Sequence, residues 1–212
     1  MPLLLTIHPL EHTSIGIWQV TENEEYFLNQ ISLFTKEKQE FETLNAHKRL
    51  EWVSSRYLLH LVIGKEDRGP CLKDSYGKPY IEGLTDHISL SHSGAHIATI
   101  VSPLSVGVDI QVVLPKITRI APKFISQNEY FSMENNISIE VCHVFWGAKE
   151  AMYKAYGRKE LDFKKNILVK KFVYSIEGFE FEGQISKDNQ IIDYHLECKT
   201  INNLILVYAI QK

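Results

Sequence analysis

Four residues have side chains and spacings that could do chemistry together: Asp109, Gln111, Glu150 and Lys154. The first two lie in the apolar run SVGVDIQVV, residues 105–113. Strand side chains alternate between faces, so Gly107, Asp109 and Gln111 share one face while Val106, Val108 and Ile110 share the other. Glu150 and Lys154 lie in WGAKEAMYK, residues 146–154, four positions apart. On a helix they are neighbours, with Trp146 one turn before Glu150 on the same side. Taken singly, each feature has an ordinary reading: a strand-end aspartate capping a turn, or a Glu–Lys pair on a solvated helix face. Taken together, an aspartate and a glutamate on two rigid elements could hold Mg²⁺. That ion takes one or two carboxylates and fills its shell with waters and substrate phosphates.

Phosphate would find cations nearby in the sequence. Arg49 and Arg56 are seven residues apart, which puts them close to one helix face and about 10 Å apart along its axis. Lys48 adjoins Arg49, and Lys78 is presented by a Gly-Lys-Pro turn. Guanidinium groups grip phosphate through two parallel hydrogen bonds. Each of these cations also reads as ordinary surface charge. The run SLSHSGAH, 89–96, does not make a serine hydrolase. Ser91 and His92 are adjacent in a strand, so their side chains diverge, and the Gly-x-Ser-x-Gly elbow is absent. His92 falls on the face of Ile88 and Leu90, which leaves a core histidine and a ligand contact both open. There is no phosphate-binding glycine loop, no dinucleotide fingerprint and no metal-ligand spacing among the nine histidines.

The positioning elements follow from periodicity and punctuation. Residues 14–20, 87–94 and 96–102 read as strands, followed by the 105–113 run. Thr35 is the expected N-cap of a charged helical stretch, with Glu37 near the positive end of its dipole. Helical character continues through 47–64, where Leu50, Val53, Tyr57, Leu58 and Leu61 form the expected stripe and Gly64 the stop. Ser138 to Tyr156 is the second long helix, with Val141, Phe145, Ala148, Met152 and Ala155 inward and Gly157 as terminator. The stretch 74–84 is turn-rich, and the C-terminal third is short β-segments separated by turn residues. Helices interspersed with antiparallel strands give an α+β class.

Composition excludes several functions. The chain has 212 residues, 44% hydrophobic and 23% charged, with a formal net charge of −3. That balance gives no bulk attraction to nucleic acid or to an anionic membrane surface. Three widely spaced cysteines without a CxxC argue against a disulfide framework or structural zinc and suit a reducing compartment. No run approaches the ~18 apolar residues of a membrane span, and the start lacks a basic signal-peptide region. The expectation is a cytoplasmic protein with no nucleic-acid or membrane partner.

Five blocks in register, YGKPYI (76–81), SLSHSG (89–94), VGVDI (106–110), KFISQNEYF (123–131) and WGAKEAMYK (146–154), resemble the 4′-phosphopantetheinyl transferase superfamily. The likeness is to its larger class, the type that activates peptide synthetases. The resemblance implies two similar α+β lobes about a pseudo-twofold axis, here 1–105 and 106–212, with the cofactor in the cleft between them. It implies a monomer that transfers phosphopantetheine from coenzyme A to a serine of an apo acyl- or peptidyl-carrier protein and releases 3′,5′-ADP. By the same resemblance Asp109, Gln111 and Glu150 stand at Mg²⁺-ligand positions, with Glu150 also activating the serine. Lys154 stands near the pyrophosphate. Lys78, Ser91, His92 and the basic helix with Lys48, Arg49 and Arg56 stand at coenzyme A contacts, and Glu129 matches an acid near the site. Two positions depart from the family pattern. Gln111 stands where an acid is common, and Gly147 where a small polar residue usually follows the tryptophan. A non-catalytic relative that binds coenzyme A or a carrier is the alternative, and a metal-dependent phosphatase or nuclease is a more distant one.

Overall fold

The computed structural model describes residues 3–64, 69–134 and 137–212. The chain divides into two compact units, Met1–Leu104 and Ser105–Lys212, each mixing helices with antiparallel sheet. The α+β expectation therefore holds.

The first unit begins with β1 (Leu3–Ile7) and β2 (Ser14–Gln19), followed by α1 (Glu24–Gln30), α2 (Thr35–Glu42) and α3 (Ala46–Ile63). A hairpin of β3 (Cys71–Lys73) and β4 (Pro79–Ile81) precedes β5 (His87–Ser93) and β6 (His96–Ser102). The sheet order is β1-β2-β6-β5. The expected helical stretch from Thr35 is two helices. Asn45 interrupts it by capping α3, its Oδ1 accepting from Lys48 N at 3.0 Å. Thr35 is the first residue of α2 rather than its cap, and Glu37 Oε2 accepts from Phe34 N at 3.2 Å. The other Glu37 oxygen accepts from Cys71 N at 3.0 Å, so this buried carboxylate ties α2 to β3. On α3, Val53 and Leu58 are buried as expected, but Leu61 is exposed and Trp52 and Leu59 take the inward positions.

The second unit runs β7 (Val106–Val112), α4 (Ile117–Phe124), α5 (Gln127–Ser132), α6 (Ile139–Tyr156), β8 (Ile167–Val169), β9 (Phe179–Lys187), β10 (Gln190–Ile201) and β11 (Leu204–Gln211). Its sheet order is β7-β11-β10-β9-β8, all antiparallel, and its strands in the C-terminal third are longer than the sequence suggested. Ser138 caps α6 through its side chain, accepting from Val141 N, and Gly157 ends it in the left-handed region at φ 68°. Val141, Phe145, Ala148, Met152 and Ala155 are all buried, as their spacing requires. They join Ile205, Val207 and Ala209 of β11 and Phe181, Ile185 and Leu196 of the neighbouring strands in one core.

Helix α6 lies almost backbone to backbone on β7. A Cβ at Gly107 would sit 1.9 Å from Ala151 O and 2.8 Å from Ala155 N, so only glycine permits the approach. This close packing turns the Gly107–Asp109–Gln111 face of β7 toward the helix that carries Glu150 and Lys154. The three cysteines, Cys71, Cys142 and Cys198, are buried. Among the described residues no helix is long and apolar enough to cross a membrane.

Candidate functional site

On β7, Asp109 is paired across the ladder with Val207, inside a buried strand. Lys154 Nζ reaches back from α6, donating to Asp109 Oδ1 at 2.7 Å and to Val108 O at 2.9 Å. The Lys154 side chain is 25% exposed, so this end of the site is open to solvent. Glu150 lies one turn earlier on α6 and is largely buried. Its carboxyl is pushed above the usual range, first by burial and then by the charge of Asp109, with Lys154 pulling the other way. The structure thus brings together Asp109, Glu150 and Lys154, three of the residues that sequence spacing singled out.

Gln111 joins them in an orientation its position alone did not disclose. Its Nε2 donates to Asp109 Oδ2 at 2.9 Å and to His143 O at 3.2 Å, while its Oε1 meets His143 Nδ1 at 2.7 Å. Two acceptors face the amide nitrogen, which fixes the amide's sense. The oxygen is engaged by the imidazole and the nitrogen faces Asp109. Direct ligation by Gln111 would require the amide to turn over and His143 to release it. Room for this amide comes from Gly147, where a Cβ would stand 2.9 Å from Gln111 Nε2 and 2.9 Å from Val207 Cγ2. The two departures from the family pattern, Gln111 and Gly147, are therefore in contact.

The donor set fits a hard divalent cation. Among the described residues no three His, Cys, Asp or Glu side chains form a metal cluster. Mg²⁺ requires no such cage, since one or two carboxylates with substrate phosphates suffice. Asp109 and Glu150 supply two, and a cation held by them would offset the Asp109 repulsion that adds to burial in raising the Glu150 pKa.

Two residues escaped sequence reasoning. His143 is on the same α6 face as Gly147, Glu150 and Lys154, at helical spacings that were available to be read. Lys149 is wholly buried. It donates to Glu129 at 2.8 Å, and to the carbonyls of Phe163 and Ile167, both at 2.7 Å. Burial pushes its ammonium pKa down, and Glu129 pulls it back. Glu129 also accepts from Ser126 N at 2.7 Å and Val169 N at 2.9 Å. The acid whose role the sequence left open is thus tied into an interior ion pair joining α5, α6 and β8. The Ser126-x-x-Glu129 spacing of a capping box was its legible half.

The first unit holds the remaining predicted residues. Asp74 Oδ1 accepts from Tyr76 N at 2.8 Å and Lys78 N at 2.9 Å, shaping the turn that presents Lys78. Burial lowers the Lys78 pKa, with Asp74 opposing it. Ser91 is buried. His92 is not a core histidine: its side chain is 57% exposed, on an edge strand, 3.6 Å from Glu51. Lys48 is exposed, and Arg49 lies over the Phe41 ring with Nη2 donating to Glu42 O at 3.4 Å. Arg56 is only 5% exposed, stacked over Trp52 at 4.1 Å and 3.7 Å from Glu40. The structure places Arg56 inside the unit and Lys48 and His92 on its surface.

Residues 105–199, nearly the whole second unit, match the sequence model of the 4′-phosphopantetheinyl transferase superfamily, which bears out the resemblance over that stretch. The similar proteins are bacterial. A 4′-phosphopantetheinyl transferase of Bacillus subtilis is 36% identical over 87 residues, 39% of this chain and 39% of its own. The 4′-phosphopantetheinyl transferase gsp of Aneurinibacillus migulanus is 27% identical over 111 residues, 51% of this chain and 46% of its own. A second Bacillus subtilis protein, 4′-phosphopantetheinyl transferase ffp, is 34% identical over 87 residues, again 39% of each chain. The matches span less than half the length of these relatives.

Proposed function

We propose that this chain transfers 4′-phosphopantetheine from coenzyme A to a serine of an apo acyl- or peptidyl-carrier protein, releasing 3′,5′-ADP. The observation that carries the reading is the joining of Asp109, Lys154 and Glu150 at one strand–helix contact within the segment that matches the superfamily. Asp109 and Glu150 would hold Mg²⁺, and the ion when bound supplies positive charge to the pyrophosphate oxygens. Lys154, anchored on Asp109 and the Val108 carbonyl, adds its ammonium to the same region and offsets charge that develops on the departing phosphate. The serine oxygen forms a bond to the pantetheine-side phosphorus as the bond to the adenosine-side phosphate breaks. The serine proton passes to Glu150, directly or through water, because burial keeps that carboxylate basic. Lys48, Arg49, Arg56, Lys78, Ser91 and His92 are proposed coenzyme A contacts. Arg56 would reach a phosphate only by leaving Glu40. We place the reaction in the cytoplasm and the protein as a monomer.

The test is to incubate the chain with coenzyme A, Mg²⁺ and an apo carrier, and then to weigh the carrier. A gain of one phosphopantetheine supports transfer, binding without gain means a non-catalytic module, and hydrolysis without gain means a phosphatase-like enzyme. Asp109→Ala and Glu150→Ala should each lose about 100-fold or more in turnover, the size seen when a charge-stabilising group is removed. Near-parental turnover in either variant at saturating coenzyme A refutes the site.

A further inference from the structure

We propose that His143 is a positioning residue that holds Asp109 through Gln111; this rests on the cation-site reading of Asp109 and Glu150. The chain of contacts is directional. Gln111 Nε2 faces two acceptors, Asp109 Oδ2 and His143 O, so the amide oxygen faces His143 Nδ1, while Nε2 of the ring lies 3.0 Å from Leu114 N and 3.2 Å from Leu114 O. The proton of a neutral imidazole then resides on Nδ1, which donates to Gln111 Oε1 at 2.7 Å. With its oxygen so engaged, Gln111 must turn its NH₂ toward Asp109 Oδ2, 2.9 Å away, and the His143 carbonyl takes the second proton. Asp109 is thereby gripped at both oxygens, by Gln111 on one and Lys154 on the other. A carboxylate held at both oxygens keeps one rotamer, whereas a free one would swing. His143 is buried on the same α6 face as Glu150, so one helix carries a cation ligand and the group that sets its partner's orientation. In this arrangement Gln111 supports Asp109 instead of coordinating beside it.

Two measurements on the full chain test the relay. The first is the tautomer, from nitrogen-15 NMR of the histidine rings. The Nδ1–H form is expected for His143, with its proton protected from solvent in the parent and exchanging rapidly in Gln111→Ala. An Nε2–H ring, or protection unchanged in Gln111→Ala, overturns the proposal. The second is Mn²⁺ binding to the coenzyme-free protein, counted by electron paramagnetic resonance. His143→Ala and Gln111→Ala should each weaken Mn²⁺ about 10-fold, the usual effect of losing a partner that orients a ligand. The double variant should be no weaker than either single one, because both act through one chain. His143→Asn, which keeps a donor near the Nδ1 position, should bind within about twofold of the parent by that same logic. Additive losses, unchanged affinity in His143→Ala, or no Mn²⁺ uptake by the parent would each overturn it. If His143→Ala does not fold, the exchange measurement and His143→Asn still decide. A parent that takes up Mn²⁺ with the expected coupling yet never modifies a carrier fails the transfer reading alone. A parent that modifies a carrier while the losses add fails this inference alone.

Discussion

Glu150 is a carboxylate whose ionisation is opposed twice, by burial and by the neighbouring Asp109 charge. Its folded pKa lies above its unfolded value, so the folded state holds the proton more tightly. The associated stability is present below the unfolded pKa and is lost as pH rises through the folded one. Glu150→Gln in a chelating buffer should therefore unfold at a higher temperature than the parent at neutral pH. The gap should close as pH falls below the ordinary carboxylate range, where both forms are uncharged. Paired melting curves across that range check it, and a variant less stable than the parent at pH 7 contradicts the assigned repulsion. At this scale the sequence carried Asp109, Glu150 and Lys154, because strand alternation and i,i+4 spacing are local properties. The sense of the Gln111 amide was not local. It depends on His143, 32 positions away, and on the space left by Gly147.

The elements are joined by two features with different chemistry. The Glu129–Lys149 pair fastens α5, α6 and β8 in the interior, every contact within about 3 Å being charged or charge-assisted. Lys149→Met strands the Glu129 carboxylate in the core and should cost about 3–5 kcal/mol of unfolding free energy, measured in denaturant. Pairing it with Glu129→Leu should recover much of that loss. The second feature is steric. Gly107→Ala drives a methyl group into the Ala151 carbonyl, a backbone atom that cannot swing aside, so α6 must lift from β7. The expected loss exceeds about 4 kcal/mol, in the range reserved for core disruption, and a melting point near the parent's would disprove the contact. Helix α6 was legible end to end because its cap, stripe and terminator agree. The α2–α3 break was missed because Asn45 acts as a cap through its own side chain, and no break in hydrophobic periodicity announces it. Sequence left His92 open between core and ligand contact because alternation gives a face, while exposure depends on whether the strand is central or, like β5, at an edge.

Across the whole molecule the thiols are distributed between the two units, with Cys71 in the first and Cys142 and Cys198 in the second. All are buried. Burial raises the pKa of Cys142, and that of Cys198 is pushed up to about 12. Only the thiolate alkylates readily, so the native protein should resist iodoacetamide at neutral pH for as long as it stays folded. Pulsed alkylation along a denaturant series, read by mass per cysteine, should then report each unit separately. Coincident labelling of Cys142 and Cys198 is the expected signature of cooperative unfolding of the second unit, with Cys71 reporting the first. Native labelling of any of the three would contradict its burial. Charge and composition did not mark the division at Leu104 and Ser105, which lies within a run of ordinary residues with no linker.

The glycine beneath α6 also acts as a gauge of register. Strand β7 pairs with β11 so that Gly107 meets Ala209 and Asp109 meets Val207. A slip of two positions keeps the same face toward the helix but brings Ser105 or Asp109 under Ala151, where no side chain fits. The helix can dock only on the correctly aligned strand. A mispaired chain is thus refused helix α6 instead of being trapped as a folded protein with its carboxylates out of step.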